Sequence, residues 1–221
     1  DIDPGAVEIA KLRLWLSLVV EEEDIKQIKP LPNLDYKIVC GDSLLGVEKN
    51  LFNHSLFDEL EKLKPLFFNE TNTKKKQEYK NQIDDLIDKI TNGRKEFDFE
   101  VYFSEVFHEK GGFDVVIANP PYIGEKGHKE SFREIKKGPL GGFYMGKMDI
   151  FYFFFHRSLN IARENGIIAF ITTNYYPTAT GAKKLRQDFK ERAIIKNLIN
   201  FNELKIFESA LGQHNMITIL Q

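Results

Sequence analysis

Asn119, Pro120, Pro121 and Tyr122 are the residues of this chain whose types and spacing best suit chemistry. An asparagine side chain accepts through its carbonyl oxygen and donates through its amide. Proline has a carbonyl but no N–H, so the Pro120 backbone can only accept. Two acceptors on a stiff loop suit a substrate that presents an NH₂ group, such as an exocyclic amine. The Tyr122 ring offers a flat face for stacking a planar group. Without chemistry, the same tetrapeptide is a tight turn leading from a strand into a helix.

The element that must hold these residues precedes them. Phe113-Asp114-Val115-Val116-Ile117-Ala118 is a short apolar run, rich in β-branched residues, that follows Gly111 and Gly112. It reads as a buried parallel strand. Two prolines cannot continue a ladder, so the strand stops at Asn119. In open α/β sheets, the carboxyl ends of strands are where ligands bind.

Composition narrows the classes. The 221 residues suffice for one large domain or one domain with an insertion, and 42% are hydrophobic. Nineteen phenylalanines point to aromatic packing. Thirty-one basic residues against 33 acidic ones leave a net charge of −2, which argues against a whole-surface grip on nucleic acid but leaves room for a local basic face. Cys40 stands alone, so neither an internal disulfide nor a zinc-finger pattern is expected, and it reads as a small apolar strand residue. His128 and His156 lack ligand partners at metal spacing. No run of about 18 apolar residues and no leader is read, which leads us to expect a reduced cytoplasmic setting.

From the start of the chain, Pro4 sits at the first turn of a helix that Asp3 can cap. Val7, Ile9, Ala10, Leu12, Leu14, Leu16 and Leu18 give it a broad apolar face, and Trp15 is expected to pack inside. Residues 21–34 form a charged connection. Tyr36 to Cys40 reads as a short strand ending at Gly41-Asp42-Ser43, a turn that by itself is mostly structural. Residues 44–110 are expected to be a helical insertion. Leu51 to Leu66 is amphipathic, Ile83, Leu86, Ile87 and Ile90 recur at helical spacing, and Phe97 to Phe107 is a further helix or an irregular aromatic stretch. Gly124 to Met148 is rich in Gly and Lys and reads as a loop with little fixed structure. Asp149 can cap a helix running to about Arg163, which Asn165-Gly166 ends. Ile167 to Thr172 is another buried strand, Gly181 to Arg192 a helix, and Ile194 to Phe201 and Met216 to Leu220 two last strands, the second near the sheet edge. Strands alternating with helices predict an α/β fold, a mostly parallel sheet with helices on both faces.

Several of these strings together resemble the DNA adenine methyltransferase domain of Type IIG (Type IIS-like) restriction–modification enzymes. They are Asp1-Ile2-Asp3-Pro4 with its Leu-Arg-Leu-Trp-Leu helix, Gly41-Asp42-Ser43, Asn119-Pro120-Pro121-Tyr122 and Met148-Asp149-Ile150-Phe151. The resemblance covers most of the chain and is loose over 44–110. It implies a Rossmann-like S-adenosylmethionine-dependent methyltransferase fold, with residues 1–43 starting the domain, 44–110 inserted and 111–221 its catalytic half. It assigns Asp1 to the cofactor ribose and Asp42, with Ser43 beside it, to the adenine amino group of the cofactor. Phe154 or Phe151 packs on that adenine. The family's Gly-rich first motif is expected to precede Asp1, so the chain reads as a fragment, with target-recognition and nuclease domains elsewhere in the parent.

The implied reaction is direct methyl transfer to the N6 amino group of an adenine flipped out of double-stranded DNA. Asn119 and Pro120 hold the amine, while Tyr122 and Phe207 sandwich the base. The same tetrapeptide occurs in enzymes that methylate a protein glutamine or an RNA guanine, and a non-catalytic DNA-docking fragment is a third reading.

Overall fold

The computed structural model describes residues 2–20, 34, 36–47, 54–93, 97–204, 206–207 and 214–221, with the Leu18 side chain left aside. These comprise helices α1 (Pro4–Val20), α2 (His54–Asn69), α3 (Thr73–Ile90), α4 (Phe99–Tyr102), α5 (Ser104–Lys110), α6 (Lys129–Lys137), α7 (Phe151–Ile161) and α8 (Lys183–Arg192). Strands are β1 (Phe113–Ala118), β2 (Ala162–Thr173), β3 (Ile195–Asn200) and β4 (Asn215–Leu220). The chain divides into two compact units, one of residues 1–43 and 47–105, the other of residues 44–46 and 106–221.

The first unit is helical. Asp3 caps α1 as expected, its Oδ1 accepting from Gly5 N at 2.7 Å. The broad apolar face of α1 is not buried within the unit: Val7 is, but Ile9, Leu12, Leu14 and Leu16 are exposed and Trp15 is half-buried. Asn72 caps α3, and the period-3.6 residues Ile83, Leu86, Ile87 and Ile90 pack with Leu60, Phe67, Val101 and Tyr102 in one core. The segment from Phe97 to Phe107 resolves into α4, a break at Phe103 and the start of α5. Residues 36–40 are not the strand their β-branched pair predicts. They form a turn with Tyr36 at φ 61, and Lys37 and Ile38 N–H groups both point back to the Leu34 carbonyl, so no ladder can form. Cys40 is accordingly a half-buried coil residue rather than a strand residue. The connection at 21–33 lies outside the described residues.

The second unit holds a four-stranded sheet ordered β1-β2-β4-β3. β1 pairs parallel with β2, while β4 runs antiparallel to both of its neighbours, β2 and β3. The fold is therefore mixed α/β. The expected mostly parallel ladder is not what forms, because β4 is inserted against the other three strands. β4 is also inside the sheet rather than near its edge, and β3, exposed along its whole length, is the edge strand. Met216, Thr218 and Leu220 are buried on β4, which is why the more apolar strand sits inside. Among the described residues β1 forms the other edge. Val116 and Ala118 pack on the core, but Val115 and Ile117 are 56% and 76% exposed, so the strand is half-buried rather than enclosed.

Aromatic rings build the core between sheet and helices. The Phe155 ring centroid lies 4.6 Å from that of Phe170 on β2, 5.0 Å from Phe189 on α8 and 5.9 Å from Tyr176. Helix α7 starts at Phe151 with Ile150 as its cap, not Asp149, and ends at Ile161. Asn165, at φ 62, and Gly166 fall in an irregularity where β2 skips from Phe113–Ala162 to Val115–Ile167 pairing. Residues 124–148 hold more fixed structure than their glycines predict: α6, whose Phe132 and Ile135 are buried, and a 3-10 turn at Gly141–Phe143.

Candidate active site

The Asn119–Tyr122 loop leaves β1 immediately after the Ala118–Phe170 pair. Asn119 and Pro121 are exposed, Pro120 is buried and Tyr122 half-buried. The far side of the loop is pinned as well. Ile150 N donates to the Ile123 carbonyl at 2.8 Å, Glu125 N donates to Met148 O at 2.9 Å, and Gly124 bridges Asp149. Prolines supply stiffness, and these bonds supply fixed ends.

Tyr122 closes back on the loop's first residue. Its hydroxyl donates to Asn119 Oδ1 at 2.9 Å and also approaches the Ile171 carbonyl at 3.4 Å. From the other side, Asn215 Nδ2 donates to the same hydroxyl at 3.3 Å. Burial pushes the Tyr122 pKa up, against the opposing effect of the Asn215 bond, so the phenol keeps its proton. Asn119 Oδ1 retains its second lone pair. Among the described residues, no hydrogen bond reaches the Pro120 carbonyl. Two acceptors thus stand at the carboxyl end of a strand beside an aromatic ring.

Because β4 is antiparallel, its first residues meet the last residues of β1, β2 and β3 at one end of the sheet. Asparagines gather there. Asn174 Nδ2 donates to Asn200 Oδ1 at 3.0 Å, Asn202 N donates to the same oxygen at 3.0 Å, and His214 Nδ1 bonds the Asn202 carbonyl at 2.6 Å. With the exposed ring of Tyr175 they line an open cavity of about 830 Å³. Sequence reading passed over Asn174, Asn200 and Asn215. Their signal is an asparagine at or next to the end of each of three strands. Phe207 is half-buried in the connection between β3 and β4.

A second cavity, of about 650 Å³, lies just beyond Tyr122 and is lined by Gly124 to Lys126, Lys129 and Gly146 to Asp149. Glu125 organises its wall, accepting from the Tyr144 hydroxyl and from Lys147 N, both at 2.5 Å. The Tyr144 bond, foremost, holds the Glu125 carboxyl below its ordinary value. Asp149 is pushed the other way by burial.

The residues expected to hold a cofactor belong to both units. In the first unit, Asp42 is exposed on the wall of a cavity of about 670 Å³, which Ile2, Pro4, Val7 and Glu8 of the α1 start also line. Two sequence-remote strings therefore meet. Gly41 is needed there, since a Cβ would lie 2.3 Å from the Phe97 ring. Ser43 is half-buried, and Asp1 lies outside the described residues. In the second unit, Phe151 is 1% exposed and walled in by Tyr152, Phe155 and Tyr176, whereas Phe154 is only half-buried. Among the described residues, no three His, Cys, Asp or Glu side chains gather as a metal site, and no helix is long and apolar enough to cross a membrane.

The family model of the Eco57I restriction-modification methylases matches residues 1–207, which includes the whole Asn119–Tyr122 loop and both candidate cofactor strings. The chain belongs to that family. Among similar curated proteins of this kind, a Methanocaldococcus jannaschii protein named, provisionally, as a type II restriction enzyme and methyltransferase is 26% identical, over 90% of this chain and 24% of its own length. The type II methyltransferase M.HincII of Haemophilus influenzae is 29% identical over 45% of the chain and 20% of its own length. The type II restriction enzyme and methyltransferase RM.Eco57I of Escherichia coli is 28% identical over 44% of the chain and 10% of its own length. This Eco57I-family chain thus spans about a quarter or less of the length of these relatives.

Proposed function

We propose that this chain forms the catalytic part of a DNA adenine-N6 methyltransferase within a restriction–modification enzyme, with S-adenosylmethionine as methyl donor. The observation that carries this reading is the pair of acceptors, Asn119 Oδ1 and the Pro120 carbonyl, beside the Tyr122 ring at the carboxyl end of β1. The matching of relatives named as type II methyltransferases supports it. Target recognition and cleavage fall to other parts of a longer protein.

In this reading the flipped base lies on Tyr122, with Phe207 on its other face. Its amino group donates one hydrogen to Asn119 and the other to Pro120, which turns the nitrogen lone pair towards the donor. Holding a nucleophile in that attitude is the larger part of the catalysis. The surroundings of Asp42 fit the cofactor: an exposed carboxylate on a roomy cavity can accept from amino or hydroxyl groups of a nucleoside. Asp42, with Ser43 and Asp1, would hold it from the first unit. When bound, it supplies an electrophilic methyl on a sulfonium, so the protein need not generate a strong base.

Labelled methyl transfer by the complete enzyme tests the reading, with mixed-sequence duplex DNA, RNA and a glutamine-bearing protein as acceptors. Label is expected in DNA adenine and is expected to vanish in Asn119→Ala. Label in RNA or protein moves the reaction to another substrate, and full transfer by Asn119→Ala removes this loop from the chemistry.

A further inference from the structure

We infer that Asn215 is a positioning residue for Tyr122: its side-chain amide takes over the Tyr122 hydroxyl when a substrate amine claims Asn119. The inference rests on the amino-methyltransferase reading above. Asn215 is 1% exposed and is the first residue of β4, held in the ladder opposite Thr173. Its Nδ2 donates to the Tyr122 hydroxyl, while its Oδ1 is buried with no hydrogen-bond partner. The hydroxyl oxygen of Thr173, on the same rung, is likewise buried and unpartnered. Buried polar atoms are almost always matched, and an unmatched pair beside a site calls for a role. An apolar residue of similar shape would fill the position without that cost.

The geometry says what the spare oxygen does. A phenol has one proton to give. Here Tyr122 gives it to Asn119 Oδ1, and so draws on one of the two lone pairs of the oxygen that is to accept from the substrate amine. Turning the Asn215 amide about its terminal bond, a broad two-fold torsion, brings Oδ1 to the place where Nδ2 now meets the hydroxyl. The Tyr122 proton can then pass from Asn119 to Asn215 by rotation about the phenol C–O bond. The tyrosine ring stays in its seat. Asn119 Oδ1 is left with both lone pairs for the amine. No bond to carbon is made or broken in this step.

A double-mutant cycle in the complete enzyme tests it, reading kcat and KM for DNA methyl transfer in Asn215→Leu, Tyr122→Phe and the pair. Leu keeps the bulk but cannot receive the hydroxyl, so the phenol stays on Asn119, and kcat/KM is expected to fall about tenfold. Tyr122→Phe removes the competing proton, so adding Asn215→Leu to it is expected to change kcat/KM by less than about twofold. Asn215→Ala reads the same contrast if Leu is not tolerated. Wild-type kinetics in Asn215→Leu, or losses that simply add in the pair, overturn the inference and leave Asn215 a packing residue. Asn119→Ala runs alongside: if it loses transfer while the cycle is additive, only the Asn215 role falls, and if it keeps transfer, the amine-holding reading falls and this inference with it.

Discussion

His156 Nδ1 lies 2.5 Å from Asp188 Oδ2, a buried bond that ties α7 to α8. The Phe143 ring stacks on the imidazole at 3.7 Å between centroids, and Arg192 clasps both oxygens of Asp188. Lys184 Nζ adds bonds to the Gly142 and Tyr144 carbonyls, so one assembly of side chains holds the 3-10 turn that follows α6.

This assembly should make stability depend on pH in acid. Burial lowers the His156 pKa below its ordinary 6.5, with Asp188 only partly opposing. Burial would raise Asp188, but its bonds from His156 and Arg192 prevail and hold it at about 2. A depressed histidine keeps its full contribution above the unfolded value. As pH falls below about 6.5, the unfolded chain takes a proton that the folded one resists, and stability is lost, by at most about 1.4 kcal/mol per pH unit. Asp188 adds a further loss below about pH 4, where the unfolded carboxylate begins to protonate. Thermal melts are expected to fall from pH 7 to 5, and His156→Gln should flatten that slope. Equal slopes in both proteins would place the dependence elsewhere.

Lys64 has the same sign of dependence, in alkaline rather than acid solution. It is 1% exposed in the first unit and donates to the Val101 carbonyl at 3.0 Å, the Tyr102 carbonyl at 2.5 Å and Glu105 Oε2 at 3.4 Å. Burial outweighs Glu105 and lowers its pKa from 10.5 to about 8. Between those values the unfolded chain binds the extra proton, so raising pH through this window favours the folded state, by up to roughly 3 kcal/mol. The gain in denaturant midpoint from pH 8 to 10.5 should be larger in the wild type than in Lys64→Met. A variant with the same gain would show that other groups set it.

Tyr122 should separate ring from hydroxyl. Losing a stacking aromatic costs about 1–3 kcal/mol per base. Tyr122→Ala is therefore expected to lower kcat/KM for DNA by roughly tenfold to a hundredfold, with Tyr122→Phe losing less. Steady-state kinetics on both variants check this. Equal losses would mean that the hydroxyl alone matters.

Glycines offer a test of the backbone that carries the loop. Gly112, at φ 143, precedes β1, and a Cβ there would lie 2.6 Å from the Ile161 carbonyl oxygen and 2.8 Å from Arg163 N. Gly142 meets nothing within 4 Å. Gly112→Ala is expected to cost roughly 2 kcal/mol or more through strain and collision, and Gly142→Ala well under 1 kcal/mol. Urea unfolding of the two variants measures the contrast.

What could be read in advance was whatever leaves a local mark. The prolines after Ala118 mark the end of β1, and the spacing of Ile83, Leu86, Ile87 and Ile90 marks α3. Tyr36 to Cys40 looked like a strand because propensity is local, yet the Leu34 carbonyl captures two of its N–H groups. Asn119 and Tyr122 were legible as neighbours in sequence. Asn215 was not, since it reaches Tyr122 across 93 residues and only through an antiparallel strand inserted into the sheet. The placement of β4 inside β3 is a tertiary choice driven by burial, which neither segment's own pattern announces.

The outer flank of β1, unpaired among the described residues, bears on how this polypeptide behaves at high concentration. Val115 and Ile117 lie open beside a row of main-chain N–H and C=O groups that no strand among the described residues engages. Such a border is a template on which a second molecule can lay a strand. Asp114, held by Lys110 at 2.8 Å and Arg163 at 2.6 Å, puts charge on the same strip and works as a gatekeeper. Replacing that aspartate by an apolar residue should therefore cost more in self-association, read by light scattering as the concentration is raised, than in folding free energy.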